Sequence, residues 1–436
     1  MDFIIYIVYF FILLVIKGKV RDRVSRLLIF VYSSYWCASL LICYYNPYGL
    51  FKVQNSTYIL LIIHLLAFLF GFVIVRPGNI KINKAKLDIQ SLLNNYVFIV
   101  LFFSCLVFSI VLGYRQREAL AYLSLSDVRG DLMDIVLEGD ERLSLFYKIV
   151  VTPVFHFCMC LLFYMLFFYR KWFVILFFLV FEVAFAYIGG GRNQFMTFGY
   201  YALSIFILAD AINSSLKGEK TKFIFDTQLK VVFGALVTIA VSGMIVLTQL
   251  RKEIDNQGEG AALLGKTIVD YSTGPIVALD YSLKHEKMYF KNYYYGLATI
   301  NGTEKFFSKF LYKLTGEKSD RVYESTTAYL QNNRIFISTE SSWNFAYTSC
   351  IYYYWDFGLL GIVLWPFVIG LIVRSMIKYL YSRLDLYSIS AFSFCTYCMC
   401  MSVFTGVITK QFALLYIMIL IFLSYRTRWG QIAVNK

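Results

Sequence analysis

The apolar positions of this chain come in long blocks, with neither the 3.6-residue period of an amphipathic helix nor the alternation of a half-buried strand. Val97–Gly113 and Phe173–Ile188 carry almost no charge over a length that crosses a bilayer. The blocks predict about eleven membrane helices, near 3–16, 27–45, 57–75, 93–113, 149–169, 172–188, 195–212, 229–249, 348–373, 386–406 and 410–425. The first is the shortest, about 21 Å of helix against a hydrocarbon core near 30 Å. It has neither a basic start nor a small-residue cleavage site, so a retained helix is expected there and not a signal peptide.

Between the blocks, lysines and arginines alternate in density, and that bias sets orientation. Segment 17–26 carries five, 76–86 four, 213–230 four, 374–383 three and the tail from Arg426 three, while the turn 169–172 carries two. The opposite short loops are poor in positive charge, with one lysine in 46–56 and another at Lys410. The basic side is therefore expected to be cytoplasmic, and the two long loops, 114–148 and 250–347, extracytoplasmic. The expected organisation is a bundle over 1–249 that includes the loop 114–148, an extracytoplasmic subdomain over 250–347, and further helices with a cytoplasmic tail over 348–436.

Composition agrees with this pattern. Of 436 residues, 59% are hydrophobic and 19% aromatic, and the mean hydropathy is +0.63. This is the profile of an all-α polytopic membrane protein and not of a soluble one. The net charge of +14 follows the topology, so a nucleic-acid partner has no support. Cys37, Cys43, Cys105, Cys158, Cys160, Cys395, Cys398 and Cys400 lie inside apolar blocks and read as packing residues. The spacing CTYCMC at 395–400 resembles a metal pattern but has neither a second cluster nor nearby histidines. No Walker loop or nucleotide motif is present, which argues against an ATP-driven pump.

The candidate chemistry gathers on the outer side. YIGGGRNQFM, 187–196, puts Gly189, Gly190 and Gly191 before Arg192, Asn193 and Gln194, at the expected start of a membrane helix. Glycines permit close approach of backbone to a ligand, a helix start offers unpaired N–H groups, and a guanidinium can bind phosphate oxygens in pairs. The alternative is a tight turn whose arginine snorkels to lipid headgroups. The loop 113–147 alternates Arg115, Arg117, Arg129 and Arg142 with seven acids, on a pattern suited to helices lying along the membrane. Arg129 stands in SDVRGD, and a solvated, salt-bridged face is the plainer account of the set. The second loop opens on Arg251, carries Glu340, and is rich in tyrosine and tryptophan, which suit stacking on sugar faces or an interfacial belt. Asp356 falls inside an aromatic membrane segment, where a carboxylate is a functional candidate by default. His156, near the outer end of the fifth helix, is either a base or a packed core residue.

Ten or more helices, the turn GGGRNQ, a large late loop and a tyrosine-rich segment ending in DFGLLG together resemble the Wzy-type oligosaccharide repeat-unit polymerases of O-antigen and capsule assembly. The resemblance covers most of the length in layout, through short motifs. It implies a bundle of the GT-C-like, polymerase-ligase type in the bacterial inner membrane. It also implies transfer of a growing glycan from its undecaprenyl pyrophosphate carrier to the sugar of an incoming lipid-linked repeat, without nucleotide sugar or other cofactor. A chain-length regulator and membrane lipid are the further partners it suggests. Arg192 matches the arginine of the glycine turn, and Arg129 and Arg251 match the loop arginines more loosely, with Gly190, Gly191 and Asn193 beside the pyrophosphate. The leaving group gains negative charge, so preorganised guanidinium and N–H donors would lower the barrier without a metal. Glu340, Asp356 and His156 are the candidates for assisting the acceptor hydroxyl. An O-antigen ligase shares the donor, and a flippase for the same lipid is the alternative from another class. A flippase would favour internal repeats and short loops on both faces, and neither is visible in the sequence.

Overall fold

The computed structural model describes residues 1–47, 49–75, 95–120, 141–169, 172–189, 192–216, 260–285, 293–316, 321–332, 335–339, 342–343, 348–410 and 412–434, with isolated positions at 234 and 238. In chain order these form α1 (Asp2–Lys19), α2 (Arg23–Tyr45), α3 (Asn55–Ile74), α4 (Tyr96–Leu120), α5 (Glu141–Phe146), α6 (Thr152–Tyr164), α7 (Trp172–Gly189), α8 (Arg192–Leu216), α9 (Gly260–Lys284), α10 (Asn301–Thr315), α11 (Arg321–Asn332), α12 (Cys350–Phe357), α13 (Leu359–Arg383), α14 (Leu386–Met401) and α15 (Ala413–Val434). A short antiparallel ribbon, β1 (Ile335–Phe336) and β2 (Ser342–Trp343), sets Ile335 opposite Trp343. Among the described residues, five helices are long and apolar enough to cross a bilayer: 23–45, 55–74, 96–119, 143–168 and 359–383. Shorter apolar helices run over 175–185, 196–212, 386–401 and 413–426. The protein is thus mostly helical and membrane-embedded. The expected helix over 229–249 falls outside the described residues, apart from 234 and 238.

The chain divides into two units. The first comprises residues 1–81, 261–382 and 398–415. Here Asp22 caps α2 by accepting from the Ser25 N–H at 2.9 Å, and its other oxygen receives Arg374 Nη1 of α13 at 2.5 Å. The Arg374 side chain is buried and that of Asp22 nearly so, a geometry in which removal of either partner strands the other. Helices α3 and α13 meet backbone to backbone. A Cβ on Gly71 would lie 2.0 Å from the Phe367 carbonyl oxygen, and one on Gly370 would lie 2.3 Å from that of Phe68, so small residues set this contact as they do between membrane helices generally.

Two elements of this unit add to the sequence expectation. Helix α9 lies in the stretch expected to form the extracytoplasmic subdomain, and its Ile276, Val277, Ala278 and Leu279 are buried. Asp280 fastens it to the start of α3 by accepting from Thr57 Oγ1 at 2.6 Å and the Gln54 N–H at 3.0 Å, while also pairing with Lys284 at 2.5 Å. The charges at Lys266, Asp270, Asp280 and Lys284 interrupt the hydropathy of this segment. The expected block 348–373 is also split: Gly358, at φ +61°, ends α12, and α13 carries the span on to Arg383. Residues 374–383, expected as a loop, are the last turns of that helix.

The second unit comprises residues 82–260, 383–397 and 416–436. Aromatic rings fill it. Phe102 of α4 sits 5.4 Å, centroid to centroid, from both Phe178 and Phe181 of α7. Phe155 of α6 stacks on Phe185 at 3.9 Å, and Phe163 meets Phe198 of α8 at 4.7 Å. Before α6 a π-helical turn, Tyr147–Val151, widens the helix. Pro153 has no N–H to donate and its ring crowds the preceding turn, and Thr152 Oγ1 donates to the Tyr147 carbonyl at 2.9 Å. The cysteines are buried, Cys398 half so, as packing residues should be.

Candidate functional site

Asp356 occupies the last turn of α12 and is completely buried. Its Oδ1 accepts the Ala298 N–H at 2.7 Å. Its Oδ2 accepts the Thr299 N–H at 3.1 Å, Thr299 Oγ1 at 2.5 Å and Trp365 Nε1 at 2.9 Å. Backbone bonds continue the seam, with the Tyr294 N–H donating to the Trp355 carbonyl at 2.9 Å and the Tyr295 N–H to that of Asp356 at 3.1 Å. The carboxylate thus ties the turn 293–300 to the junction of α12 and α13. Thr299 also borders a cavity of about 20 Å³, shared with Ser349, Tyr352, Tyr353, Ser402 and Thr409. One water fits there; a sugar ring does not. Of the two roles open to Asp356, base or anchor, its hydrogen bonds favour the anchor.

Arg192 is the first residue of α8, and α7 ends at Gly189. The glycine turn expected between these helices falls on residues 190 and 191, outside the described residues. The leading N–H groups of α8 have no partner within the helix, and the positive end of a 25-residue dipole lies at Arg192 and Asn193. Gly190 and Gly191 lie outside the described residues, as do Arg129, Arg251 and Glu340 and the side chains of Arg192 and Asn193.

His156 of α6 is 4% exposed. Its Nδ1 lies 3.0 Å from the Tyr201 hydroxyl, and the rings of Phe394, Tyr397 and Tyr416 surround it at 5.3 to 6.3 Å. This aromatic enclosure favours the packed-core role for His156.

Among the described residues, Glu182 of α7, Asp210 of α8 and Asp280 of α9 are buried acids that the sequence did not single out. Glu182 of α7 is 4% exposed, and neither carboxyl oxygen has a hydrogen-bond partner among the described residues. The signal was present in the sequence as the single charge of LFFLVFEVAF, because an acid inside a membrane segment is a functional candidate by default. No protein-family model, curated protein or solved structure matches the chain.

Proposed function

We propose that the protein is a glycosyltransferase of the Wzy type, joining polyprenyl-pyrophosphate-linked oligosaccharide repeats at the extracytoplasmic face of a bacterial inner membrane. The observation that carries this reading is helix α8, described from Arg192, which follows three consecutive glycines in the sequence. A helix N-terminus flanked by a guanidinium presents donors to a pyrophosphate in the ground state, and more strongly as the bond to the sugar breaks and the leaving group gains charge. The membrane helices supply the solvent for the polyprenyl tail. Asp356, in this reading, is a positioning residue for the outer end of α13, and neither metal nor nucleotide is called on.

Glycan length tests the proposal. Cells lacking the chromosomal copy and expressing the native protein should give long-chain ladders, and cells expressing Arg192→Ala at equal protein level should give single repeats. Ladders from both would keep the polymerase and return Arg192 to headgroup snorkelling. Ladders indifferent to the protein would point to the ligase or flippase reading.

A further inference from the structure

Helix α10 (Asn301–Thr315) has three distinct faces. One is packed. Asn301 Nδ2 donates to Thr326 Oγ1 of α11 at 2.8 Å, Glu304 accepts the Tyr323 N–H at 2.8 Å, and Ser308 is buried. A second face is apolar and bare. Phe307, Leu311 and Leu314, spaced as one stripe of a helix with about 3.6 residues per turn, are 54%, 44% and 70% exposed. By sequence register, Lys305, Lys309 and Lys313 recur every fourth residue, on the opposite arc of a helical wheel from those three positions. A stripe of large apolar residues opposite a lysine row is the pattern of a helix lying in the interface of an anionic bilayer.

The placement of α10 is an independent observation. The turn before it is stapled by Ala298 and Thr299 to Asp356, and by Tyr294 to Trp355. Those partners immediately precede the membrane span of α13, whose first residues, Leu359 and Leu360, are 61% and 65% exposed. Tyr293 and Tyr295, also exposed, stand in the same turn, where membrane proteins place their aromatic belt. Helix α10 therefore starts at the level where α13 enters the hydrocarbon.

We propose that α10 is an interfacial helix, with Phe307, Leu311 and Leu314 seated among acyl chains and its lysines drawn to anionic headgroups, so that anionic lipid holds this part of the molecule against the membrane. A helix seated in this way fixes the height of the 293–300 turn and of the α12–α13 junction relative to the headgroups. The inference rests on the protein being membrane-embedded and not on the glycosyltransferase reading, which could fail while it stands.

The test uses the full-length protein reconstituted in vesicles, with a nitroxide on Leu311→Cys and a water-side control on Glu324→Cys. The unsubstituted protein, whose cysteines are buried or half-buried, supplies the labelling background. In phosphatidylglycerol-containing vesicles the nitroxide at 311 should respond several-fold more to lipid-dissolved oxygen, relative to a water-soluble nickel chelate, than the nitroxide at 324. That preference should fall several-fold in pure phosphatidylcholine, and likewise when Lys305, Lys309 and Lys313 are all changed to Gln. A nickel-accessible position 311 in anionic vesicles would overturn the proposal and leave the stripe for a protein partner. Equal lipid exposure in both vesicles and in the lysine variant would overturn the anionic-lipid part. For the unsubstituted chain, a phosphatidylglycerol with a photoreactive headgroup should cross-link to the 301–316 peptide, and failure to do so while other interfacial peptides react would count equally against it.

Discussion

Asp356 and Glu182 are both carboxyls buried among apolar helices, and their surroundings are opposite. Asp356 receives four hydrogen bonds, two from backbone N–H groups, one from a hydroxyl and one from an indole. Glu182 receives none among the described residues. A buried polar group costs free energy unless it is bonded, so a saturated acid can belong to the architecture, whereas a bare one costs stability without visible return. Burial alone therefore does not mark a functional acid; the donors around it separate anchor from candidate.

The largest effect should come from emptying the saturated site. Asp356→Ala leaves four buried donors unsatisfied, and we expect a loss of about 3–5 kcal/mol, seen as a lower unfolding midpoint in detergent and reduced protein level. Asp356→Asn should behave similarly, because its NH₂ would face donors where acceptors are needed. If either variant stayed at native stability but lost activity, the anchor role would be wrong and a catalytic one restored. Trimming single donors should cost less: about 1–2 kcal/mol for Thr299→Val, which removes one of the four bonds, and a comparable loss for Trp365→Phe. A Thr299→Val variant as unstable as Asp356→Ala would show that the seam depends on the hydroxyl and not on the set.

Much of this was legible in the sequence, for reasons that differ from element to element. The apolar blocks revealed α2, α3, α4 and α13 because a bilayer demands long uncharged runs, and no tertiary contact can substitute for them. Helix α8, described from Arg192, was legible over 195–212 because that stretch is one of the apolar blocks. Helix α9 was hidden because Asp280 and Lys284 satisfy each other and the start of α3, a long-range pairing that no local window contains. The anchoring of Asp356 was hidden likewise, since its donors Ala298 and Thr299 lie more than fifty residues away in sequence. The place of α10 beside α13 depends on that same seam. Arg129, Arg251 and Glu340 stand as sequence candidates outside the described residues.

The smallest stability change is expected at the bare acid, and it sharpens the comparison most. Glu182→Gln keeps shape and polarity, so the unfolding midpoint should move by less than an equivalent of about 1 kcal/mol, while Glu182→Leu, which removes the unbonded oxygens altogether, should be neutral or stabilising. A loss of more than about 2 kcal/mol in the leucine variant would mean that a donor reaches Glu182 after all, and the contrast with Asp356 would collapse. If stability is indeed unchanged or improved, the acid is retained against its own energetic interest, and the informative readout becomes glycan length. A stable Glu182→Leu protein that shortens the ladder would place Glu182 in the working part of the membrane bundle, as is usual for intramembrane acids. A stable variant with full ladders would make it a tolerated polar residue, and having no donors would then be no better a guide to function than burial.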